Sequence, residues 1–237
     1  MKAALLQAHH IPEHRQVHSG GNYPHVFANM FARTDTVIDI DWYDVTKGDY
    51  PPDPSIYDAF LISGSSASAF DNDPWIDVLK DYIQTLFQAK HKIIGICFGH
   101  QIIAEALGGK VIRAKKGWGI GIKTIEVISR QKWMQPYQHH CSLLFYHQDH
   151  VILEPENAII LARNEFCEIQ MYCIGSQVLG IQAHPEMLSG HNHSIIMDAR
   201  GNLDDYIIQG AVESLRIRDQ GILVGHWITN FIEAQND

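Results

Sequence analysis

A chain of 237 residues, 46% hydrophobic and 19% charged, carries enough apolar material for one sizeable core and too much to be disordered. Its 18 Lys and Arg against 27 Asp and Glu leave a formal charge of −9, which opposes binding to nucleic acid or to an anionic membrane. No apolar stretch approaches the roughly 20 residues that span a bilayer, and MKAALLQAHHIPEH breaks into His, Pro and Glu before a signal sequence could form, so a cytoplasmic protein with one domain over 1–237 is expected.

Four short apolar runs stand at 2–8, 36–45, 58–64 and 92–98. They are nearly continuous rather than alternating, which suits parallel strands buried on both faces. Helical stretches occupy 23–34 and 73–90. In the second, Trp75, Ile76, Leu79, Tyr82, Ile83 and Leu86 fall close to one face, and Asp73 with Pro74 supplies a start signal. This order predicts an α/β fold: a doubly wound, mostly parallel open sheet flanked by helices. After Gly109 the runs shorten, at 119–128, 142–151, 158–164, 168–175 and 178–184. Some read as a small antiparallel ribbon and some as strands returning to the main sheet. Residues 203–235 read as one or two closing helices, and no repeat or linker marks a second domain.

The stretch KIIGICFGHQIIAEALGG, residues 92–109, joins a strand to a helix through a turn holding Cys97. A nucleophile on such a turn projects at the carboxyl edge of the sheet, where open α/β sheets bind ligands. Gly95 and Gly99 omit side chains that would collide in so tight a turn. The turn also sets Cys97 at a helix N-terminus, whose positive dipole end favours negative charge on the sulfur. Cys141, Cys167 and Cys173 lack flanking glycines and read as buried core thiols. No C-x-x-C pair is present, so reduced cysteines are expected.

A thiolate nucleophile needs a base and a group that orients the base. LGIQAHPEM ends an apolar strand in His184, and Glu186 follows across Pro185 on the same side of an extended backbone, placed to fix the imidazole tautomer. The oxyanion needs preorganised donors. One is the N–H of Phe98; the other is an N–H of Gly64 or Ser65 in the glycine-bearing loop LISGSSAS. The 15 histidines, including the pairs His9/His10 and His139/His140 and the run HPEMLSGHNH, show no zinc-ligand spacing and read as surface and loop residues; no metal and no cofactor are expected.

Together these residues resemble the class I (triad) glutamine amidotransferases. GICFGHQ matches the nucleophile motif, AHPE the His-Pro-Glu motif and LISGS the oxyanion strand, over roughly 40–190. AFDNDPWI, KGWGIG and YHQDHV are similar to the stand-alone, GMP-synthase-like branch. The resemblance implies a flavodoxin-like fold and attack of Cys97 on a γ-glutamyl amide to give a thioester. His184 would protonate leaving ammonia and then activate water, with Glu186 orienting it. It further implies that Gln101 binds the amino-acid head of the substrate, with His147, Gln148 and Asp149 making backbone contacts to the same group. The chain has S-G-S-S where many members have S-G-G-P, so the second oxyanion amide stays open between Gly64 and Ser65.

The expected partner is a small molecule, glutamine or a γ-glutamyl peptide. No ATP-binding glycine loop occurs, so an ammonia acceptor, where there is one, would be a separate synthase subunit. A metal-dependent hydrolase and a binding module without turnover are the competing classes, and the presence of Cys97, His184 and Glu186 argues against the second.

Overall fold

The first strands β1 (Lys2–Gln7), β2 (Asp39–Asp44), β3 (Ala59–Ile62) and β4 (Ile93–Ile96) pair in parallel in the order β2-β1-β3-β4, and β11 (Val178–Ile181) joins β4, also in parallel. A computed structural model describes residues 1–187 and 189–234, and the side chains of all of these but 189–191. Beyond β11 the sheet continues antiparallel through β10 (Met171–Ile174), β9 (Ile159–Arg163), β6 (Gly119–Val127) and β7 (His140–His147), nine strands in all. Most of the later strands thus return to the main sheet, and the expected small antiparallel ribbon is a separate two-stranded sheet.

Alternation along the central strands explains the two helical layers. Leu5, Leu61, Ile94, Ile96, Leu179 and Ile181 share a core with α2 (Tyr23–Phe31) and α7 (Gly221–Glu233). Leu6, Phe60, Ile62, Ile93 and Val178 share the opposite core with α3 (Pro74–Gln88) and α4 (Phe98–Ala106). Strands covered on both sides must be apolar on both sides, which is why β3, β4 and β11 are buried at every position. The face expected of α3 is the one that packs: Ile76, Leu79, Ile83 and Leu86 are buried and Trp75 and Tyr82 flank them.

The run at 142–151 is two strands rather than one. It breaks at Gln148, and β8 (Asp149–Leu153) pairs with β5 (Lys110–Arg113) in a separate two-stranded sheet. No Gly or Pro marks this crossing. Two short helices were also without sequence signal. The first, α1 (Glu13–Ser19), has seven residues and none buried, and its N-cap Pro12 offers no side-chain cap. The second is α5 (Ser189–Asp198); α6 (Asp205–Ser214) and α7 are the closing helices. Gln235, the last residue of the expected closing segment, and the side chain of His191 lie outside the described residues. Among the described residues no helix is long and apolar enough to cross a membrane.

Candidate active site

β4 ends at Ile96 and α4 starts at Phe98, so Cys97 alone makes the turn. It does so at φ 54 and ψ −103, on the side of backbone space that residues with a side chain seldom occupy. Such a conformation costs of order 1–3 kcal/mol and persists only where its surroundings fix it. Here the Cys97 N–H donates to Ile181 O at 2.8 Å, and its carbonyl accepts from the Gln101 N–H at 3.1 Å. A Cβ on Gly95 would overlap the Gly99 backbone, and one on Gly99 would overlap the carbonyl oxygen of Ile62 on β3. Both glycines are thus required by close approach.

The imidazole arrives from the end of β11. The His184 N–H donates to Leu144 O on β7 at 2.9 Å, and Nδ1 pairs with Glu186 Oε1 at 2.8 Å. That bond selects the tautomer with the proton on Nδ1 when the ring is neutral. His184 is 6% exposed and Glu186 is fully buried. Burial alone would favour the neutral ring. The charges of Cys97 and Glu186, with hydrogen bonds to both, outweigh it and raise His184 well above its ordinary value. A Cβ at Gly64 would meet His184 Cε1 at 3.0 Å, the Tyr23 hydroxyl at 3.2 Å and Cys97 Cβ at 3.8 Å, so this glycine sits where the three side chains converge.

Among the described residues, the N–H groups of Gly64, Ser65 and Phe98 have no intramolecular acceptor. The loop that carries the first two is pinned by its own hydroxyls: Ser63 Oγ donates to Gly64 O at 2.9 Å, and Ser65 Oγ to Ala8 O at 2.9 Å. Fixed, unpaired amides beside a thiol are the donors an oxyanion needs. Of the three, Ser65 lines a cavity of about 480 Å³, together with Cys97, His184, Gln101, His147, Gln148 and Asp149.

The residues expected to hold the substrate head also hold one another. Gln101 Nε2 donates to Asp149 O at 2.9 Å and to Gln182 Oε1 at 3.1 Å, and His147 Nδ1 contacts Asp149 O at 3.1 Å. The Asp149 carboxylate accepts from Ser68 Oγ at 2.5 Å and from Arg113 Nε at 3.2 Å.

Surface placement of the histidines is corrected at three positions besides His184. His100, His147 and His150 are 0%, 3% and 8% exposed. Their rings pack as aromatic core members, His100 on Tyr172 at 4.9 Å and His147 and His150 on Phe166 at 5.5 and 4.8 Å. Burial drives His100 down to about 3 and His150 to about 4, so both are neutral. Among the described residues no group of His, Cys, Asp and Glu is placed to hold a metal. Cys141, Cys167 and Cys173 are buried, and burial pushes their thiols up to about 12, 12 and 11.

Residues 17–200 match the family described as glutamine amidotransferase class-I. The chain belongs to the class-I glutamine amidotransferase family. The match starts well before the 40–190 stretch that carries the motifs, and so takes in α2 and part of α1. Among curated class-I glutamine amidotransferase relatives, gamma-glutamyl peptidase 4 of Arabidopsis thaliana is 37% identical over 185 residues, covering 75% of this chain and 71% of that one. A glutamine-hydrolyzing GMP synthase subunit from Sulfolobus acidocaldarius is 27% identical over 177 residues, covering 72% and 87%. A glutamine amidotransferase from Thermotoga maritima shares the fold with a TM-score of 0.78 at 20% identity, covering 98% of this chain and 99% of that one.

The motifs that mark class-I glutamine amidotransferases do not include every side chain on this cavity. Arg15 from α1, Tyr23 from α2 and Ile195 from α5 also line it. Burial first, then the charges of Glu186 and Cys97, raises the Tyr23 hydroxyl, which therefore stays a neutral donor. Tyr23 falls inside a predicted helix, but nothing in a helical period says that it lines the same cavity as Cys97.

Proposed function

We propose that this chain is a cysteine hydrolase of γ-glutamyl amides. The observation that carries the reading is convergence: Cys97 on its strained turn, His184 held by Glu186, and Ser65 of the loop with unpaired amides line one cavity. Cys97 sulfur attacks the γ-carbonyl carbon, and the carbonyl oxygen takes up negative charge facing the N–H of Phe98 and of Gly64 or Ser65. His184 passes its proton to the amine nitrogen as the C–N bond breaks, leaving a γ-glutamyl thioester on Cys97. The neutral imidazole then takes a proton from water, whose oxygen attacks the thioester; glutamate leaves and the thiol is restored. Glu186 orients the ring and supports its charge throughout. Gln101 and residues 147–149 hold the glutamyl head.

Two features favour a peptide-linked amide over free glutamine. The cavity falls within the roughly 300–1,000 Å³ of pockets for drug-sized ligands, more than one amino acid fills. The Arabidopsis gamma-glutamyl peptidase shares 37% identity with this chain. A second reading, ammonia supply to a separate synthase subunit, is supported by the 27% identity to a glutamine-hydrolyzing GMP synthase component.

The test is glutamate release from glutamine and from γ-glutamyl dipeptides by the isolated chain, with Cys97→Ser beside it. Dipeptide cleavage dependent on Cys97, with a mass shift of one glutamyl unit on the quenched enzyme, is expected. Glutamine cleavage that switches on only with an added synthase subunit favours the second reading, and turnover by Cys97→Ser rejects both.

A further inference from the structure

Arg15 is a cavity residue to which the proposed chemistry gives no task. It lines the same cavity as Cys97, with its side chain 21% exposed. Nε lies 2.7 Å from Asp198 Oδ2 on α5, yet finds no aligned hydrogen-bond acceptor, so the contact is one of charge. The same carboxylate oxygen takes His14 Nε2 at 3.0 Å. Asp198 thus holds the guanidinium by its ε edge. Among the described residues, the two terminal amino groups of Arg15 have no partner. Those groups form the planar fork with which arginine grips a carboxylate through two parallel hydrogen bonds.

The surroundings leave that fork as the cation of its wall. His9 nearby is held below its ordinary value, by burial and then by the charge of Arg15, and is neutral. Tyr23 and Tyr146, which also feel the Arg15 charge, are neutral hydroxyls. The other arginine of the cavity, Arg113, is engaged with Asp149 and Ser68 beside the glutamyl-head residues. Arg15 instead stands with Tyr23, whose hydroxyl points to the space shared with His184 and Cys97. His184 is the group that hands a proton to the departing amine, so this is the side on which the amine leaves. Ile11, Met187 and Ile195 add apolar surface to the same cavity.

We propose that Arg15 selects γ-glutamyl substrates whose leaving amine bears a carboxylate, as an amino acid or a peptide does and ammonia does not. The inference rests on the hydrolase reading above and deepens it: the carboxylate takes the free fork while Asp198 keeps its hold on Nε. Arg15 is a specificity residue and takes no part in bond making.

The experiment compares kcat/KM for γ-glutamyl-alanine and γ-glutamyl-alaninamide, identical but for the terminal charge, in wild type, Arg15→Gln and Arg15→Lys. One charge-assisted pair corresponds to roughly 10- to 100-fold, so wild type is expected to prefer the acid by about that factor. Arg15→Gln should bring the ratio to within about threefold, and Arg15→Lys, charged but without the fork, should fall between. Because both substrates are run on one preparation, a partly unfolded variant lowers both rates and leaves the ratio readable. Equal cleavage of acid and amide by wild type, or an unchanged ratio in Arg15→Gln, overturns the inference while the hydrolase reading stands. If wild type cleaves neither, the hydrolase reading itself fails and takes this inference with it.

Discussion

The floor of the cavity and its rim are built by opposite means. At the floor, β4, Cys97 and α4 are set by collision: a strained turn, two glycines without room for a methyl group, and strands buried on both faces. At the rim, α1 and α5 are short and meet through His14 and Arg15 on one carboxylate, Asp198, itself 30% exposed. Packing fixes geometry to fractions of an ångström, whereas part-exposed charge pairs contribute little and yield to salt. The proposed roles follow the same division, with bond making assigned to the rigid region and choice among substrates to the adaptable one.

Four substitutions would break or sharpen that contrast. Cys97→Ser should lower turnover by at least about a thousandfold, read as glutamate release, with the thermal midpoint nearly unmoved; residual activity above a tenth of wild type would sink the assignment. Gly99→Ala forces a methyl group into the Ile62 carbonyl and should destabilise by about 1–3 kcal/mol or more in urea unfolding, with activity falling alongside.

Glu186→Gln should act through pH. The folded-state value of His184 is raised above the 6.5 of the unfolded chain, so its contribution is fully present below pH 6.5 and is lost as pH rises through the folded value. Removing one of the charges that raise it should open a stability gap that is widest near pH 6 and narrows towards alkaline pH. A gap that instead widened above pH 8 would contradict the sign. At the rim, Asp198→Asn should cost only about 0–1 kcal/mol, and less in high salt, because the charge pairs it breaks are part-exposed. A loss as large as that of Gly99→Ala would show that the rim is as rigid as the floor.

What was readable in the sequence divides along the same line. Doubly covered strands must be continuously apolar, and a nucleophile turn must carry small neighbours, so β1, β3, β4, Cys97, Gly95 and Gly99 left a local signature. The His-Pro-Glu spacing did the same for His184 and Glu186, which the structure brings to 2.8 Å. The rim left none. In α1 no residue is buried, so no apolar period marks it, and the approach of Arg15 to Asp198 spans 183 residues of chain. The split between β7 and β8 was hidden because Gln148 is an ordinary residue performing a crossing that glycine or proline often marks. Buried His100, His147 and His150 were hidden for a different reason, since an imidazole surrounded by aromatic rings looks in sequence like any polar residue.

One contact behind the floor bears on how the protein would fail. Gly221, the first residue of α7, lies so close to Pro185 that a Cβ there would overlap the proline carbonyl oxygen, and Gln220 clasps Ser142 of β7 through bonds of 2.8 and 3.0 Å. The turn that carries Glu186 thus rests on the start of the C-terminal helix. Partial opening of α7, which hydrogen exchange detects well before global unfolding, would release the carboxylate from the imidazole. Inactivation on warming is then expected to keep pace with exchange in α7 rather than with melting of the sheet, making catalysis a gauge of that helix's attachment.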